Sequence, residues 1–182
     1  MDYLRATVQD LTNMLDLNII TSAALVEGYL ARINENNYQG LNLRAVIEIA
    51  PPASLIRQAH RRDRELAQGI IRGALHGVPI LVKDNIATDP RLGMNTTAGS
   101  FAFCMNKRVL GLIVVGSVVP RDATVVEKLR EAGAIIIGKS SLTELSNFKG
   151  NNSNGWSARG GQTQSAYVKG GYKKYVENFQ LT

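Results

Sequence analysis

The sequence predicts an α/β fold, because segments with helical spacing of apolar residues alternate with short, nearly continuous apolar runs. The runs Val78–Val82 and Ala134–Ile137 have the composition of strands buried on both faces. Between them, Asp122–Glu131 has the spacing of a helix, and Gly133 is placed to end it. We therefore expect helices packed on a largely buried sheet, with chemistry in the loops beyond the carboxyl ends of the strands.

Further elements flank this core. Apolar residues recur at helical spacing in Leu4–Leu15 and in Thr21–Ile33, and the second helix begins with a residue type suited to capping it. The aliphatic segment Leu43–Ile49 is short and predicts a strand. Beyond the core, Leu142–Leu145 predicts a short helix. The segment Asn147–Tyr172, rich in Gly, Asn and Ser, predicts an extended loop.

The chain is basic, with 21 Lys and Arg against 15 Asp and Glu and a formal net charge of +6. Its densest basic cluster lies on a predicted third helix, which Pro51-Pro52 can begin and which runs to about Gln68 before Gly69. Asp63 and Glu65 alternate with these arginines, and the cluster contains no aromatic residue. We therefore interpret it as a solvated helix face and not as a nucleic-acid-binding surface. Its arginines are Arg57, Arg61, Arg62 and Arg64.

Cysteine and histidine content argues against several classes of protein. The single cysteine, Cys104, cannot form an internal disulfide, and His60 and His76 are too few for a convincing zinc site. We expect a reduced compartment, no metal and no cofactor. The amino terminus lacks the pattern of a secretory signal, and the longest apolar-rich run, Val109–Val119, is short against the roughly 20 residues that span a bilayer. The sequence thus predicts a cytoplasmic protein that does not enter a membrane.

Lys83 is the ionisable residue whose position is most informative, because it closes a predicted buried strand. A lysine there either extends its amine to solvent or is desolvated, which lowers a lysine pKa and makes the amine a general base. Asp84 and Asn85 follow it and favour a turn through local hydrogen bonds. From these residues alone, both interpretations of Lys83 stay open.

A longer pattern surrounds Lys83. The segment LHGVPILVKDN, residues 75–85, is followed in order by Asn95–Ser100, by Val119–Leu129, and by Gly133–Lys139 with Leu142–Glu144. These segments resemble the lysine-bearing region of the amidase signature family, particularly its fungal amidase-like members. The stretch Asn147–Gly171 resembles the approach to that family's glycine- and serine-rich signature. The resemblance covers almost the whole chain and corresponds to the amino-terminal portion of such a protein.

The resemblance implies a mixed sheet core flanked by helices and a hydrolase that cleaves carboxamide C–N bonds of small-molecule amides. In its Ser-cisSer-Lys mechanism, a lysine deprotonates a bridging serine, which relays the proton from a nucleophilic serine. Lys83 matches that base. Both serines belong to sequence expected after Gly171, where this chain diverges, so we expect a truncated chain that is inactive alone. The other serines considered lack the glycine-rich setting and are interpreted as cap or loop residues: Ser140, Ser141, Ser153, Ser157 and Ser165.

We predict one partial amidase domain, 1–182, in three parts. These are a helical region (1–70), an α/β core (71–146) and a loop-rich tail with a divergent end (147–182). An atypical insertion at about 104–116 separates motifs that follow each other almost directly in relatives. One hypothesis explains both departures: intron sequence translated in frame at the insertion, and read-through after Gly171 or Tyr172. A genomic sequence without intron boundaries there would exclude it.

A second function stays open beside the inactive amidase fragment. The chain can be a non-catalytic binding module derived from an amidase, in which an unpaired sheet edge contacts a partner or a full-length relative. The same exposed edge allows self-association. The substrate cannot be read from the sequence, because the family's acyl-group pocket lies largely in the portion that is missing here.

Overall fold

The computed structural model describes residues 5–104, 107–109, 112–114, 118–148, 153–168 and 170–171, the second and third of these ranges by their backbone only. The predicted divergent end, 172–182, lies outside the described residues. The helices are α1 (Val8–Asp16), α2 (Ser22–Asn36), α3 (Pro52–Ala67) and α4 (Thr124–Glu131). The strands are β1 (Val46–Ile49), β2 (Pro79–Lys83), β3 (Lys107–Val109), β4 (Leu112–Val114), β5 (Ile135–Ser140), β6 (Trp156–Ser157) and β7 (Gly161–Gln162). Short 3-10 helices occur at Pro90–Leu92, Phe101–Phe103 and Glu144–Asn147.

Side-chain caps set the first residue of α1 and of α2. α1 begins at Val8, later than the predicted Leu4, which lies outside the described residues. Thr7 caps it: its Oγ1 accepts from the Asp10 amide at 3.2 Å, and its own amide donates to the Asp10 carboxylate at 2.8 Å. Thr21 caps α2 as predicted. Within the described ranges, no helix is long and apolar enough to cross a membrane.

Proline and glycine set the two ends of α3. Pro52 is its first residue, where a missing amide hydrogen costs nothing, and the helix ends at Ala67. Gly69 follows with φ of +74°, a left-handed conformation that stops the helix. The predicted start and stop are therefore confirmed.

The central sheet has three strands in the order β1-β5-β2. β1 runs antiparallel to β5 and β2 runs parallel to it, so the sheet is mixed, as the resemblance implies. β5 is buried from Ile135 to Lys139 and occupies the centre. Because β2 and β5 are parallel, their carboxyl ends meet at one edge, where Lys83 lies opposite Ser140. The predicted α/β class is confirmed.

Two strand predictions need correction. β1 begins at Val46 and not at Leu43, because Asn42 and Arg44 both have φ of +49°, which a strand does not allow. The run Val78–Val82 is not buried on both faces: Val82 is buried, but Leu81 is 37% exposed. β2 lies at an edge of the sheet and pairs with β5 alone among the described strands. Leu81 lines an open apolar groove beside α1 and α2, and part of its surface therefore stays exposed.

Helices α2, α3 and α4 pack their apolar residues against the strands of this sheet. The buried cluster joins the sheet residues Val82, Ile135, Ile136 and Ile137 to helix residues, of which Val26, Leu55 and Val126 have no exposed surface. A second buried cluster seats α1 against α2 and the start of β2: Leu11, Leu15, Leu25 and Val78. Apolar burial of this kind is the main stabilising contribution to the fold.

Two predicted helices begin or end differently from their sequence patterns. α4 begins at Thr124 and not at Asp122, because the Asp122 carboxylate accepts from the Asp89 amide at 2.6 Å and pairs with Arg130. The short helix predicted at Leu142–Leu145 is a 3-10 helix at Glu144–Asn147.

The predicted insertion at about 104–116 contains a small antiparallel hairpin. Its strands are β3 and β4, and Arg108 lies opposite Ile113 in the backbone register. Residues 105–106, 110–111 and 115–117 lie outside the described residues. Cys104, at the start of the insertion, carries a free and buried thiol. The intron hypothesis for this segment stays a prediction.

Candidate active site

Lys83 is the last residue of β2, and its side chain is exposed. Since neighbouring residues of a strand point to opposite faces, Lys83 lies on the opposite side of the sheet from the buried Val82. The exposed position agrees with an amine that reaches solvent, which is one of the two interpretations left open by the sequence.

A hydrogen-bonded turn follows Lys83, as Asp84 and Asn85 predict. The Ile86 amide donates to the Lys83 carbonyl at 2.9 Å, and the Asp84 amide donates to the Ser140 carbonyl of β5 at 3.1 Å. The exposed Asn85 side chain donates to Ser146 Oγ at 3.1 Å. The turn is thus held both to the sheet and to the 3-10 helix after β5.

The Asp84 side chain does more than favour this turn, because it is fully buried. Its carboxylate accepts hydrogen bonds from the Thr97 amide at 3.3 Å, from Thr97 Oγ1 at 2.5 Å and from the Gly99 amide at 2.9 Å. A buried carboxylate is tolerated only when its lone pairs are satisfied in this way. Asp84 therefore fixes the segment Asn95–Ser100 beside the end of β2.

Arg159 brings the loop between β6 and β7 to the same place. Its guanidinium lies 3.7 Å from Asp84 Oδ1, donates to Thr97 Oγ1 at 3.2 Å and forms an ion pair with Glu48 of β1 at 2.5 Å. Its backbone amide donates to the Gly99 carbonyl at 3.0 Å. Arg159, Asp84 and Glu48 consequently join three segments that are far apart in the sequence.

Lys139 lies beneath the turn and is fully buried, although it is a lysine. Its Nζ donates to the Ile86 carbonyl at 2.5 Å and to Thr96 Oγ1 at 3.0 Å. Desolvation by burial lowers the pKa of Lys139 to about 8, and the negative charges of Asp84 and Glu48 oppose that shift. The amine is therefore held in place by two hydrogen bonds and by nearby carboxylates.

Sequence reasoning missed the roles of Lys139, Arg159 and the Asp84 carboxylate. Lys139 follows the buried run Ile135–Gly138. In the sequence, it stands out only as the last residue of a motif that resembles the family. One signal was available: Lys139 directly extends a buried apolar run, where a lysine is either desolvated or extends its amine to solvent. For Arg159, the sequence offers no local signal.

Three of the serines interpreted as cap or loop residues form hydrogen bonds with backbone groups. Ser141 Oγ donates to the Arg44 carbonyl at 2.7 Å, and the buried Ser157 Oγ accepts from the Gly160 amide at 3.0 Å. Ser165 Oγ accepts from the Tyr167 amide at 3.2 Å. These are the contacts expected of cap and loop residues.

The 3-10 helix after β5 is conformationally strained. Leu145, Ser146 and Asn147 have φ values of +50°, +55° and +66°, in the left-handed region. Each such residue costs on the order of 1 kcal/mol or more and persists only where its surroundings impose the conformation. The Leu145 amide donates to the Ala98 carbonyl at 2.9 Å, and Ser146 accepts from Asn85. The strained segment therefore borders the turn after Lys83.

The basic cluster on α3 is only partly a solvated face. Arg62 Nε donates to the Gly133 carbonyl at 3.0 Å, and its side chain is 12% exposed, so that it packs α3 against the turn before β5. Hydrogen bonds from Arg72, and then from Arg62 and Arg61, hold the pKa of the Glu65 carboxyl well below its ordinary value. The described residues contain no group of three His, Cys, Asp or Glu side chains placed to hold a metal ion.

The described structure belongs to the α/β class, with a mixed sheet in which Lys83 ends one strand of the parallel pair. A family model described as Amidase matches residues 24–170. The chain therefore belongs to the amidase family.

Individual relatives agree with this assignment. The chain is 43% identical over 164 residues to the Arabidopsis thaliana protein named Probable amidase At4g34880, covering 90% of this chain and 29% of that protein. The peptide amidase of Stenotrophomonas maltophilia is 41% identical with a TM-score of 0.76, covering 90% of this chain and 30% of its own. An amidase family protein from Bacillus anthracis is 30% identical with a TM-score of 0.76, covering 91% and 30%. The chain thus spans less than a third of the length of these three relatives.

Replacing Asp84 by Asn should lower the free energy of unfolding by about 3 kcal/mol, as expected when one partner of a buried, hydrogen-bonded ion pair is removed. The Asn side chain would place an NH2 group or a single oxygen where a carboxylate now faces Thr97, Gly99 and Arg159. Urea unfolding followed by circular dichroism measures the loss. Asp16→Asn, at an exposed carboxylate, is the matched control and should change little. Equal losses in the two variants would contradict this account.

The stability of the chain should rise with pH between about 8 and the ordinary lysine value of 10.5, because the unfolded chain binds more protons than the folded chain in that range. The gain in the free energy of unfolding is complete above the pKa of this lysine in the unfolded chain. It is lost as the pH falls through the pKa of Lys139 in the folded chain. At about 1.4 kcal/mol per pKa unit, it amounts to at most about 3 kcal/mol. Urea unfolding at a series of pH values measures the slope. Lys139→Met should flatten the slope, whereas Lys128→Met, on the surface of α4, should preserve it.

Proposed function

We propose that this chain supplies the lysine-bearing part of an amidase that hydrolyses carboxamide C–N bonds. The proposal is supported by the family match over residues 24–170 and by one structural observation, the position of Lys83. Lys83 closes a strand whose following turn is held by the buried groups Asp84 and Lys139. A catalytic base needs a backbone that is fixed in this manner.

In this proposal Lys83 acts as the general base of a Ser-cisSer-Lys mechanism. Its neutral amine takes the proton of a bridging serine, which takes the proton of the nucleophilic serine as that oxygen attacks the amide carbonyl. The proton then passes to the leaving nitrogen, and water releases the acid from the acyl-enzyme. The substrate is a small-molecule amide, and the products are a carboxylic acid and ammonia or an amine.

The two serines of the mechanism are not assigned to any residue of this chain. Ser141, Ser157 and Ser165 are bonded to backbone groups. We therefore propose that residues 1–182 do not turn over amides by themselves, and that the serines and the oxyanion-binding amides come from sequence of the kind found in the remaining two thirds of the relatives. A reduced, cytoplasmic compartment is proposed with it, on the free thiol of Cys104.

A second candidate function is a binding module derived from an amidase. The observation that favours it is the outer edge of β2, which no described strand pairs. Beside this edge lies an apolar groove of about 310 Å³, lined by α1, α2 and β2 with Leu11, Ile33 and Leu81 among its residues. An unpaired strand edge next to an apolar groove can accept a further strand from another copy or from a relative.

A chimera tests the catalytic role of Lys83. Residues 24–170 of this chain would replace the matching segment of the Stenotrophomonas maltophilia peptide amidase, with and without the insertion 104–116. We expect the chimera to release ammonia from a panel of aliphatic, aromatic and peptide amides. Lys83→Met in the chimera should lower kcat/KM by about 100-fold or more, the contribution typical of a general base.

The controls separate chemistry from folding. Lys128→Met should leave turnover of the chimera unchanged, because the Lys128 side chain is 74% exposed on α4. The isolated 182-residue chain should release no ammonia that depends on Lys83. A folded chimera whose turnover survives Lys83→Met would refute the proposed base.

Sedimentation analysis tests the binding module. If the β2 edge is a contact surface, the chain should form dimers, or a complex with the full-length peptide amidase, and Leu81→Glu should weaken either. A charge at position 81 would lie in the apolar groove that a bound partner fills, and burying it there is costly. Leu41→Glu, at a residue 58% exposed on another surface, should have no effect. A chain that sediments as a monomer alone and in the mixture would exclude this function.

A further inference from the structure

Lys139 is a fully buried lysine that the proposed mechanism does not use. It lies on β5 opposite Val82 of β2, one residue before the position opposite Lys83. Its side chain shares the buried side of the sheet with Val82, while Lys83 points to the other side. The two lysines therefore do not meet through their side chains, and any effect of one on the other must pass through the backbone.

The peptide groups of Ile86 provide that connection. The Ile86 carbonyl accepts from Lys139 Nζ at 2.5 Å, and the Ile86 amide donates to the Lys83 carbonyl at 2.9 Å. A single residue thus joins the buried ammonium group to the backbone of Lys83. Hydrogen bonds to a charged donor are about twice as strong as neutral ones, and this one lies in the protein interior.

A second contact holds the other side of the turn. Lys139 Nζ also donates to Thr96 Oγ1 at 3.0 Å, and the same hydroxyl oxygen accepts from the Thr88 amide at 3.2 Å. The ammonium group therefore determines the spacing between the turn after β2 and the segment that contains Thr96. An apolar side chain at position 139 would leave the inward-facing Ile86 carbonyl without this donor.

We propose that Lys139 is a positioning residue for Lys83, acting through the Ile86 peptide. This inference rests on the proposed function in one respect. Lys83 needs a fixed position because it is the proposed base. The position of the Lys83 backbone is set by Lys139 whether or not this chain completes a catalytic cycle.

Nuclear magnetic resonance of the full 182-residue chain tests the inference. The 13C shift of the Ile86 carbonyl and the 15N shift of its amide should titrate with the midpoint of the Lys139 side-chain 13Cε signal. The Ala87 carbonyl, which accepts instead from the Ala123 amide, serves as the internal reference and should respond less. The charged groups that act on Lys139 are Asp84, Glu48, Arg159 and Asp122.

Variants provide the second measurement. Lys139→Met should abolish the Ile86 titration and make hydrogen exchange of the Ile86 amide about tenfold faster, the loss expected for a hydrogen bond to a charged group. Lys128→Met should change neither. If Lys139→Met does not fold, the titration of the unsubstituted chain still decides the question.

Two results would overturn the inference. One is a Lys139 titration that the Ile86 carbonyl and amide do not follow. The other is a folded Lys139→Met variant with unchanged Ile86 exchange. Neither readout involves turnover, so the positioning role can fail while the amidase proposal stands. Loss of the Lys83 dependence in the chimera would refute the amidase proposal without affecting these signals.

Discussion

The buried carboxylate of Asp84 is the group on which the arrangement around Lys83 depends. A charge with no exposed surface is stable only if donors surround it, and Asp84 receives them from Thr97, from Gly99 and electrostatically from Arg159. Each donor belongs to a different segment from Asp84 itself, so folding must bring those segments to the end of β2. The polar framework thereby specifies the position of these loops beside the end of β2.

Local chemistry explains what could be read from the sequence. Thr21, Pro52 and Gly69 determine helix ends through their own side chains or backbone freedom, and such signals need no knowledge of the tertiary fold. The buried network of Asp84, Lys139 and Arg159 depends instead on contacts between residues that are far apart in the sequence. The Lys139 contact to Ile86 spans 53 positions, and the Arg159 contact to Glu48 spans 111. Neither residue type nor periodicity within a window indicates such partners.

The packing and register of the strands account for the remaining differences between the predicted and the observed structure. Lys139 points inward because it lies opposite Val82, and no pattern in residues 133–139 states which strand will be its neighbour. In the same way, the apolar run Val78–Val82 predicts burial on both faces, yet Leu81 is partly exposed in a groove that α1 and α2 leave open. The composition of β2 fits a strand covered on both faces better than it fits the partly exposed strand observed.

The exposure of Leu81 and the exposure of Lys83 have the same origin. The two residues are separated by one position along β2, so they lie on the same face of the sheet. A lysine acts as a base only as a neutral amine, and removal from water favours that form. Any layer that covered Leu81 would also take water from the surroundings of Lys83. The exposed face of β2 therefore concerns both the packing of this strand and the role proposed for Lys83.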